Sequence, residues 1–198
     1  MDSARRLETP LGGVLLAGDG EALTGLWFEG QRYFARTLDG HAGDAPAALD
    51  RCGCSDSAPA VLDHCGCSDP APAVLDRAER WLAAYFRGED PGEAPPLAPR
   101  GTEFQRAVWA LLTEIPRGQT ATYGQIAARL AGRTGAAVSA RAVGGAVARN
   151  PISIFIPCHR VVGADGGLIG YAGGIDRKRQ LLRLEGAISD SGGNDGKP

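Results

Sequence analysis

The hydrophobic residues near the N-terminus fall into two short runs. These runs cover Leu11 to Ala17 and Leu23 to Phe28, and an Asp19-Gly20 pair lies between them. Short apolar runs on either side of an Asp-Gly pair are typical of two antiparallel strands joined by a tight turn. The pattern therefore predicts a β-hairpin at the start of the chain.

A different spacing of hydrophobic residues follows further along the chain. Apolar side chains recur there at intervals of three and four, at Val74, Leu75, Ala78, Leu82, Tyr85 and Phe86. This spacing predicts an amphipathic helix, and Gly88 is a stop signal just after it. Hairpin and helix together predict a small α/β N-terminal domain, a β-sheet with a helix, over residues 1–87.

The second half of the chain predicts a mostly α domain. Residues 88–101 contain four prolines and predict an extended linker. Thr102, Thr122 and Ser139 can then cap three helices, which run to just before Pro116, from Tyr123 to about Leu130, and up to Asn150-Pro151. The second and third helices resemble a helix-turn-helix with a connection longer than the usual tight turn. This domain is expected to cover residues 102–186, before a flexible tail at 187–198.

An internal repeat interrupts the N-terminal half at about residues 42–73. Leu49 and Leu62 in this segment and Leu75 just after it lie thirteen residues apart, and the repeat is rich in Ala, Pro, Gly and Asp. A period this short predicts a flexible insertion rather than a stacked solenoid. The alternative is a zinc clip, although zinc sites usually have at least two residues between paired cysteines. Its ligands would be Cys52, Cys54, Cys65 and Cys67, with His64 nearby.

The composition fits a globular protein. The chain has 198 residues, of which 43% are hydrophobic, enough to form a sizeable core. We see no apolar signal segment at the N-terminus and no run near the roughly 18 apolar residues of a membrane helix. We therefore expect a cytoplasmic protein without a membrane partner. We also expect a monomer. The odd count of 5 cysteines argues for reduced thiols rather than a disulfide framework.

The charges are distributed unevenly along the chain. Residues 1–99 carry 8 Arg and 16 Asp or Glu, whereas residues 100–186 carry 12 Lys or Arg and 5 Asp or Glu. A basic half beside an acidic half is expected when one part of a protein contacts DNA and the other does not. A solvated basic surface with no partner is the alternative.

The third predicted C-terminal helix has almost no side-chain bulk. It contains Ala140, Ala142, Gly144, Gly145, Ala146 and Ala148. Because each interior glycine costs a helix about 1 kcal/mol relative to alanine, two of them indicate a surface that another body approaches closely. That body is either a neighbouring helix or the minor groove of DNA. Arg141, considered alone, is a phosphate contact or a solvated side chain.

A single cysteine follows an apolar run that predicts a strand from Ile152 to Ile156. Cys158 lies at its end, beside His159. Only a thiolate attacks carbon well, so a nucleophilic cysteine near neutral pH needs a base. Side chains of neighbouring residues on an extended chain point in opposite directions, so we expect His159 to reach the thiol through a water molecule. Glu185 is a candidate to orient the imidazole. The alternative is an inert buried thiol.

These motifs together resemble the O6-alkylguanine-DNA alkyltransferases. The resemblance runs from about Thr102 to Gly186 and includes the sequence IPCHRV around Cys158, RAVGGAV before it and GYAGG after it. It implies repair of double-stranded DNA by irreversible transfer of an alkyl group from O6-alkylguanine, and from O4-alkylthymine, to Cys158. It also implies that the damaged base is rotated out of the duplex from the minor groove, and that no cofactor is needed.

The resemblance also implies roles for individual residues. His159 would be the water-mediated base, Glu185 its orienting acid, Asn150 the brace of the active-site turn and Tyr123 an aid to the departing guanine. Arg141 would fill the gap left by the rotated base. Further DNA contacts would come from the start of the same helix, at Ser139, Ala140, Ala142 and Gly144. The base pocket would be lined by Val161, Tyr171, Ala172 and Gly173.

The sequence departs from the family pattern at two places, and two other functions are alternatives to alkyl transfer. The stretch before Arg141 is longer than the family norm, and the cysteine-rich repeat has no family counterpart. One rival is a non-catalytic lesion-binding protein of the alkyltransferase-like type, in which the nucleophile is replaced. The other is a cysteine hydrolase with an acyl-enzyme, for which the sequence indicates no oxyanion hole.

Overall fold

The computed structural model of the chain describes residues 2–38 and 73–189. The predicted insertion, including the alternative zinc ligands Cys52, Cys54, Cys65 and Cys67, lies outside the described residues, as does most of the predicted tail. The expectations for both segments stay predictions.

A three-stranded antiparallel sheet opens the chain. Its strands are β1 (Ser3–Thr9), β2 (Gly12–Gly18) and β3 (Leu23–Phe28), in that order across the sheet. The predicted hairpin is confirmed as β2 and β3, and the Asp19 carboxylate accepts hydrogen bonds from the turn at 3.1 and 2.9 Å. The hydrophobic pattern does not predict β1, because this edge strand is mostly exposed and has few apolar side chains.

Helix α1 (Ala73–Phe86) packs its apolar face against this sheet. The predicted helix is confirmed, and Gly88 after it takes a left-handed φ of 78°. The segment predicted as a linker runs beside β3, where the Leu23 amide donates to the Pro96 carbonyl at 2.8 Å and the Ala98 amide donates to the Leu23 carbonyl at 2.7 Å. One edge of β3 is therefore occupied by residues 96–98.

Four helices form most of the second half. They are α2 (Glu103–Thr113), α3 (Tyr123–Thr134), α4 (Ala140–Val147) and α5 (Ile175–Leu184). Two strands of two residues each, β4 (Ala121–Thr122) and β5 (Val161–Val162), pair in parallel. This pair joins the start of α3 to the segment after Cys158. The three predicted N-caps are confirmed: Thr102, Thr122 and Ser139 each accept a hydrogen bond from a backbone amide three residues on, at 3.1 to 3.2 Å. The predicted fold class is confirmed.

The connection between α3 and α4 is shorter than the sequence predicted. We expected α3 to end at about Leu130, but it continues to Thr134 and is stopped by Gly135, which has a φ of 70°. Residues 131–134 account for the difference, because Gly132 is the one residue among them that disfavours a helix strongly, and the helix can continue through it. Residues 135–139 join the two helices, which pack on each other and on α2.

The predicted strand from Ile152 to Ile156 is wrong. Ile152 makes an isolated bridge to Leu26 of β3, after which the chain turns, with Ile154 at a φ of 69° and the Ile156 amide donating to the Ile152 carbonyl at 3.0 Å. Cys158 then starts a short 3₁₀ helix, Cys158–Arg160. The apolar run suggested a strand because it is buried throughout, and burial on all sides removes the alternation that separates a strand from a buried turn.

The two halves share one apolar core. Side chains of β3 and α1 pack in the same cluster as those of α2, α4 and the turn before Cys158. The same edge of β3, opposite to β2, also holds this turn directly, because the Leu26 amide donates to the Pro151 carbonyl at 2.9 Å and the Ser153 amide donates to the Leu26 carbonyl at 3.0 Å. None of the helices in the described ranges is long and apolar enough to cross a membrane.

Candidate active site

Asn150 braces the turn that carries Cys158. Its side chain is buried, and its Oδ1 accepts from the Ile152 amide at 3.0 Å. On the other side, its Nδ2 donates to the Ile156 carbonyl at 2.8 Å and to the Cys158 Sγ at 3.0 Å. One amide group therefore fixes both ends of the turn and also contacts the sulfur.

The thiol of Cys158 lies in the core with 4% of its surface exposed. Burial raises the pKa of Cys158, because the thiolate loses solvation, while the hydrogen bond from Asn150 and the charge of Lys178 act in the opposite direction. The thiol is therefore mostly protonated at rest, and it must lose its proton before it can act as a nucleophile.

His159 and Glu185 form a fully buried pair beside the thiol. The His159 Nε2 lies 2.9 Å from the Glu185 Oε1. Burial alone would raise the pKa of Glu185, but hydrogen bonds from His159 and Arg160 hold it well below the ordinary range. The carboxylate is therefore charged and can only accept hydrogen bonds, so the Nε2 carries the hydrogen and the Nδ1 is left as the basic nitrogen.

The Nδ1 of His159 is buried and has no hydrogen-bond partner among the described residues. Burial lowers the pKa of His159, against the opposing effect of Glu185, so the imidazole is neutral near pH 7. A neutral imidazole with a buried lone pair is suited to take a proton from a neighbouring thiol through a water molecule.

Tyr123 and the glycine-rich loop lie close to the thiol. The Tyr123 hydroxyl is within 3.2 Å of the Ile169 carbonyl and 3.3 Å of the Gly170 carbonyl. Gly170 allows this approach, because a Cβ there would lie 2.6 Å from the hydroxyl and the residue has a φ of 67°. Burial, together with the negative charge of a Cys158 thiolate, raises the pKa of Tyr123, so its hydroxyl is protonated.

The residues predicted for the base pocket sit around the same loop. Val161 belongs to β5, and its carbonyl accepts from the Lys178 ammonium, which also binds the Ile169 carbonyl. Tyr171 is close enough to Cys158 for a thiolate to raise its pKa further, after burial. The Ala172 carbonyl accepts from the Arg32 amide at 3.1 Å. Gly173 is buried at the end of the loop.

Helix α4 presents its small residues to the surface. Ser139, Ala140, Arg141 and Ala142 are exposed, while the Trp109 Nε1 ties the opposite side of the helix by donating to the Ala146 carbonyl at 2.9 Å. A Cβ at Gly144 would lie 3.8 Å from the nearest atom, the Tyr123 ring, and one at Gly145 would lie 3.4 Å from Arg149. Packing within the described chain thus does not demand these glycines, which favours an outside partner over a neighbouring helix.

The structure brings two hydrogen-bonded pairs side by side, Asn150 with Cys158 and His159 with Glu185, and places Tyr123 and Tyr171 beside the thiol. Arg141 stands apart on the surface and makes no hydrogen bond or ion pair within the described ranges. Three further residues that lie at this site have no role predicted from the sequence.

Tyr85 and Arg160 bind Glu185, and Lys178 is a fully buried cation near the thiol. The sequence held one signal for Arg160, its place next to His159, and none that separates Tyr85 or Lys178 from ordinary helix residues.

Comparison with known proteins connects this site to a family. A family model described as "6-O-methylguanine DNA methyltransferase, DNA binding domain" matches residues 103–187. A methylated-DNA–protein-cysteine methyltransferase of Mycobacterium leprae is 40% identical over 190 residues, which cover 93% of each chain. A protein of the same name from Methanosarcina acetivorans is 54% identical over 110 residues, covering 56% of this chain and 68% of the relative.

Solved structures agree with the sequence relatives. Mycobacterium tuberculosis O6-methylguanine methyltransferase is 38% identical, with a TM-score of 0.69 over 97% of both chains. The structure of Mycobacterium tuberculosis OGT in complex with DNA has the same identity and a TM-score of 0.67, and the match covers 93% of this chain and 92% of that one. Since a 40% identical relative is matched over nearly its whole length, the chain belongs to the methylated-DNA–protein-cysteine methyltransferase family.

Proposed function

We propose that this protein repairs DNA by moving an alkyl group from the O6 atom of guanine to the Sγ of Cys158. The observation that carries the proposal is the buried group in which the Asn150 Nδ2 donates to the Cys158 Sγ at 3.0 Å beside the His159–Glu185 pair at 2.9 Å. This arrangement provides a nucleophile, a base and an orienting carboxylate in one place.

The first step is activation of the thiol. The Cys158 proton passes through a water molecule to the His159 Nδ1, which leaves a thiolate and an imidazolium. The Glu185 carboxylate stabilises the imidazolium through the Nε2 hydrogen, and the Asn150 amide stabilises the thiolate. No carboxylate needs to change its protonation state.

The second step is transfer of the alkyl group. The thiolate attacks the alkyl carbon in line with the C–O6 bond, a C–S bond forms, and the electron pair of the C–O6 bond stays on the guanine. The departing guanine takes up one proton, which the neutral Tyr123 hydroxyl donates and the imidazolium later restores. The product is a thioether, which cellular thiols cannot exchange as they exchange a disulfide, so each molecule reacts once. The step uses no cofactor, and O4-alkylthymine offers the same type of leaving group.

Access to the alkyl group requires the base to leave the duplex. Helix α4 supplies a surface without bulk for the minor groove, and the exposed Arg141 at its start would occupy the space of the rotated nucleotide. The excess of Lys and Arg in residues 100–186 supports binding to the phosphate backbone. We propose that the protein acts as a monomer, since no step needs a second copy. The cytoplasmic location stays a prediction.

A lesion-binding protein without transfer is the alternative function. It would use the same surface of α4 and the same pocket, but it would have no need for a thiol. The hydrogen bond from Asn150 to Cys158 therefore favours transfer.

Mass spectrometry after incubation with a duplex that contains O6-methylguanine tests the proposal. We expect one added methyl group, on the peptide that contains Cys158, and no second turnover. The Cys158→Ala variant should bind the duplex without gaining mass. Repeated turnover, or a methyl group on another cysteine, would contradict the proposal, and binding without any mass gain in the unaltered protein would support the alternative function.

A further inference from the structure

The Glu185 carboxylate is held by more donors than the pair with His159 requires. Arg160 donates to both of its oxygens, from Nε to Oε2 at 2.8 Å and from Nη2 to Oε1 at 2.7 Å. The Tyr85 hydroxyl also donates to Oε1, at 2.7 Å, which is shorter than the 2.9 Å between that oxygen and the His159 Nε2. The tyrosine and the histidine therefore share one acceptor.

Tyr85 comes from the other half of the chain. It lies in the last turn of α1, 100 residues before Glu185, and its side chain is 1% exposed. Its ring stacks on Trp81 at 5.3 Å between centroids, and the Arg117 guanidinium lies 5.4 Å from the ring centre. These contacts fix the position of the hydroxyl.

Arg117 links the same region to the end of α5. Its Nη1 donates to the Glu89 carbonyl at 2.8 Å, and its Nη2 lies 3.4 Å from the Leu184 carbonyl, directly before Glu185. The end of α1 and the end of α5 are therefore held together next to the carboxylate.

The direction of the hydrogen bond from Tyr85 follows from the charge state of both groups. Burial, together with the negative charge of Glu185, raises the pKa of Tyr85 far above its ordinary value, so the hydroxyl keeps its proton. The Glu185 carboxylate is ionised and has no proton to give. Glu185 is also the C-cap residue of α5, where the helix dipole disfavours a negative charge, so each hydrogen-bond donor matters to the stability of the carboxylate.

We propose that Tyr85 is a positioning residue of the active site, whose hydroxyl fixes the Glu185 carboxylate and limits the negative charge that this carboxylate presents to His159. Helix α1 of the N-terminal sheet region then contributes directly to the base strength of the histidine. The charged groups that face His159 are Glu185, Arg160 and Lys178, and Cys158 is the titratable neighbour. Of these, Tyr85 contacts Glu185.

The Tyr85→Phe variant tests this role, because it removes the hydroxyl and keeps the ring. With one donor fewer, Glu185 presents more negative charge to the imidazolium, and we expect the pKa of His159 to rise by about one unit. NMR titration of the His159 imidazole in the resting full-length protein measures this value without any substrate, with the His159→Gln variant to assign the signal.

The Trp81→Phe variant is the matched control. It disturbs the packing of the same face of α1, since the Trp81 ring stacks on Tyr85 and contacts Phe155 at a tilt, but it leaves the Tyr85 hydroxyl in place. We expect both variants to lose some stability against urea and the Tyr85→Phe variant alone to shift the His159 titration. An unchanged His159 pKa in Tyr85→Phe, or an equal shift in both variants, would show that Tyr85 serves packing alone.

The kinetic consequence rests on the proposed function. In single-turnover transfer from an O6-methylguanine duplex, the acid limb of the pH profile should move to higher pH in Tyr85→Phe by the same amount as the His159 pKa. Absence of transfer in the unaltered protein would overturn the proposed function and leave the NMR result to decide the role of Tyr85. If Tyr85→Phe does not fold, 3-fluorotyrosine at position 85 keeps the ring and strengthens the donor, so the pKa of His159 should then fall. A rise or no change would overturn the inference.

Discussion

At the scale of single residues, the site depends on charges that are buried close to one sulfur atom. Lys178 is fully buried, and its ammonium binds the Val161 and Ile169 carbonyls rather than a carboxylate. Burial lowers the pKa of Lys178 to about 8, and a thiolate at Cys158 acts against this shift. The lysine therefore keeps an uncompensated positive charge near the Cys158 thiol at neutral pH.

Replacing Lys178 with Met removes this charge and keeps a side chain of similar length. Because the charge lowers the pKa of Cys158, we expect a smaller thiolate fraction and a transfer rate about tenfold lower at pH 7, for one unit of change in the thiol pKa. Single-turnover reaction with free O6-benzylguanine across pH 6.5 to 9.5 measures the rate, which should recover as the pH rises.

The Arg179→Met variant is the control for Lys178, since it removes a positive charge from the next position of α5, where Arg179 pairs with Asp176 at 3.1 Å. Its rate should match that of the unaltered protein. A deficit in Lys178→Met that persists at high pH would mean that the lysine supports the shape of the pocket and not the charge of the thiol.

At the scale of secondary-structure elements, the two sides of α4 lie in different environments. One side is buried through Val143, Ala146 and Val147, and the other is exposed and nearly without bulk. Arg141 is the large exception on the exposed side, at the second residue of the helix. A single long cation on a smooth helix can fill a gap in a duplex or bind a phosphate, and kinetics can distinguish these roles.

The Arg141→Ala variant should slow transfer from duplex DNA severely and leave reaction with free O6-benzylguanine nearly unchanged, because the free base has no stack to leave. Single-turnover rates at saturating protein on both substrates are the measurement. The Arg149→Ala variant removes an exposed arginine just after the same helix. We expect it to weaken DNA binding at most, with full recovery of the rate at saturation.

Two results would contradict the base-rotation role of Arg141. Equal slowing on both substrates would place Arg141 in the fold or in the chemistry. Full recovery of the duplex rate at saturating protein would make it a phosphate contact, and the salt dependence of binding should then fall by about one charge.

At the scale of the whole molecule, the buried His159 and Glu185 make the stability of the fold depend on pH. Burial lowers the pKa of His159 below its ordinary 6.5, so the unfolded chain binds this proton more readily than the folded protein does. The pKa of Glu185 is also lowered in the folded protein. Both shifts favour the folded state above the ordinary pKa values, and this stability is lost as the pH falls, first for His159 below about pH 6.5 and then for Glu185 below about pH 4.5.

We therefore expect the free energy of unfolding to decrease between pH 7 and pH 5, with a slope from His159 of at most about 1.4 kcal/mol per pH unit. Urea unfolding at a series of pH values measures it. The His159→Gln variant keeps a donor for Glu185 but has no group that titrates there, so its slope should be smaller. An equal slope in the two proteins would mean that other groups cause the loss.

The sequence alone determined the elements that have a local cause. The turn at Asp19, the stop at Gly88 and the three helix caps at Thr102, Thr122 and Ser139 each depend on a residue that bonds to its own neighbours, and the structure confirms all of them. The sequence also predicts Cys158 as the nucleophile, His159 as its base and Glu185 as the orienting carboxylate, both from the chemistry of a thiol next to a histidine and from the resemblance to the family.

Tertiary structure decided what depends on residues far apart in the chain. The apolar run before Cys158 forms a buried turn instead of a strand because β3 and Asn150 hold it from two sides. The edge strand β1 is fixed by pairing with β2 and not by its own pattern. Tyr85 reaches Glu185 across 100 residues, and no local signal marks such a contact, because a hydroxyl on a buried helix face acquires a role only when the fold brings an acceptor to it.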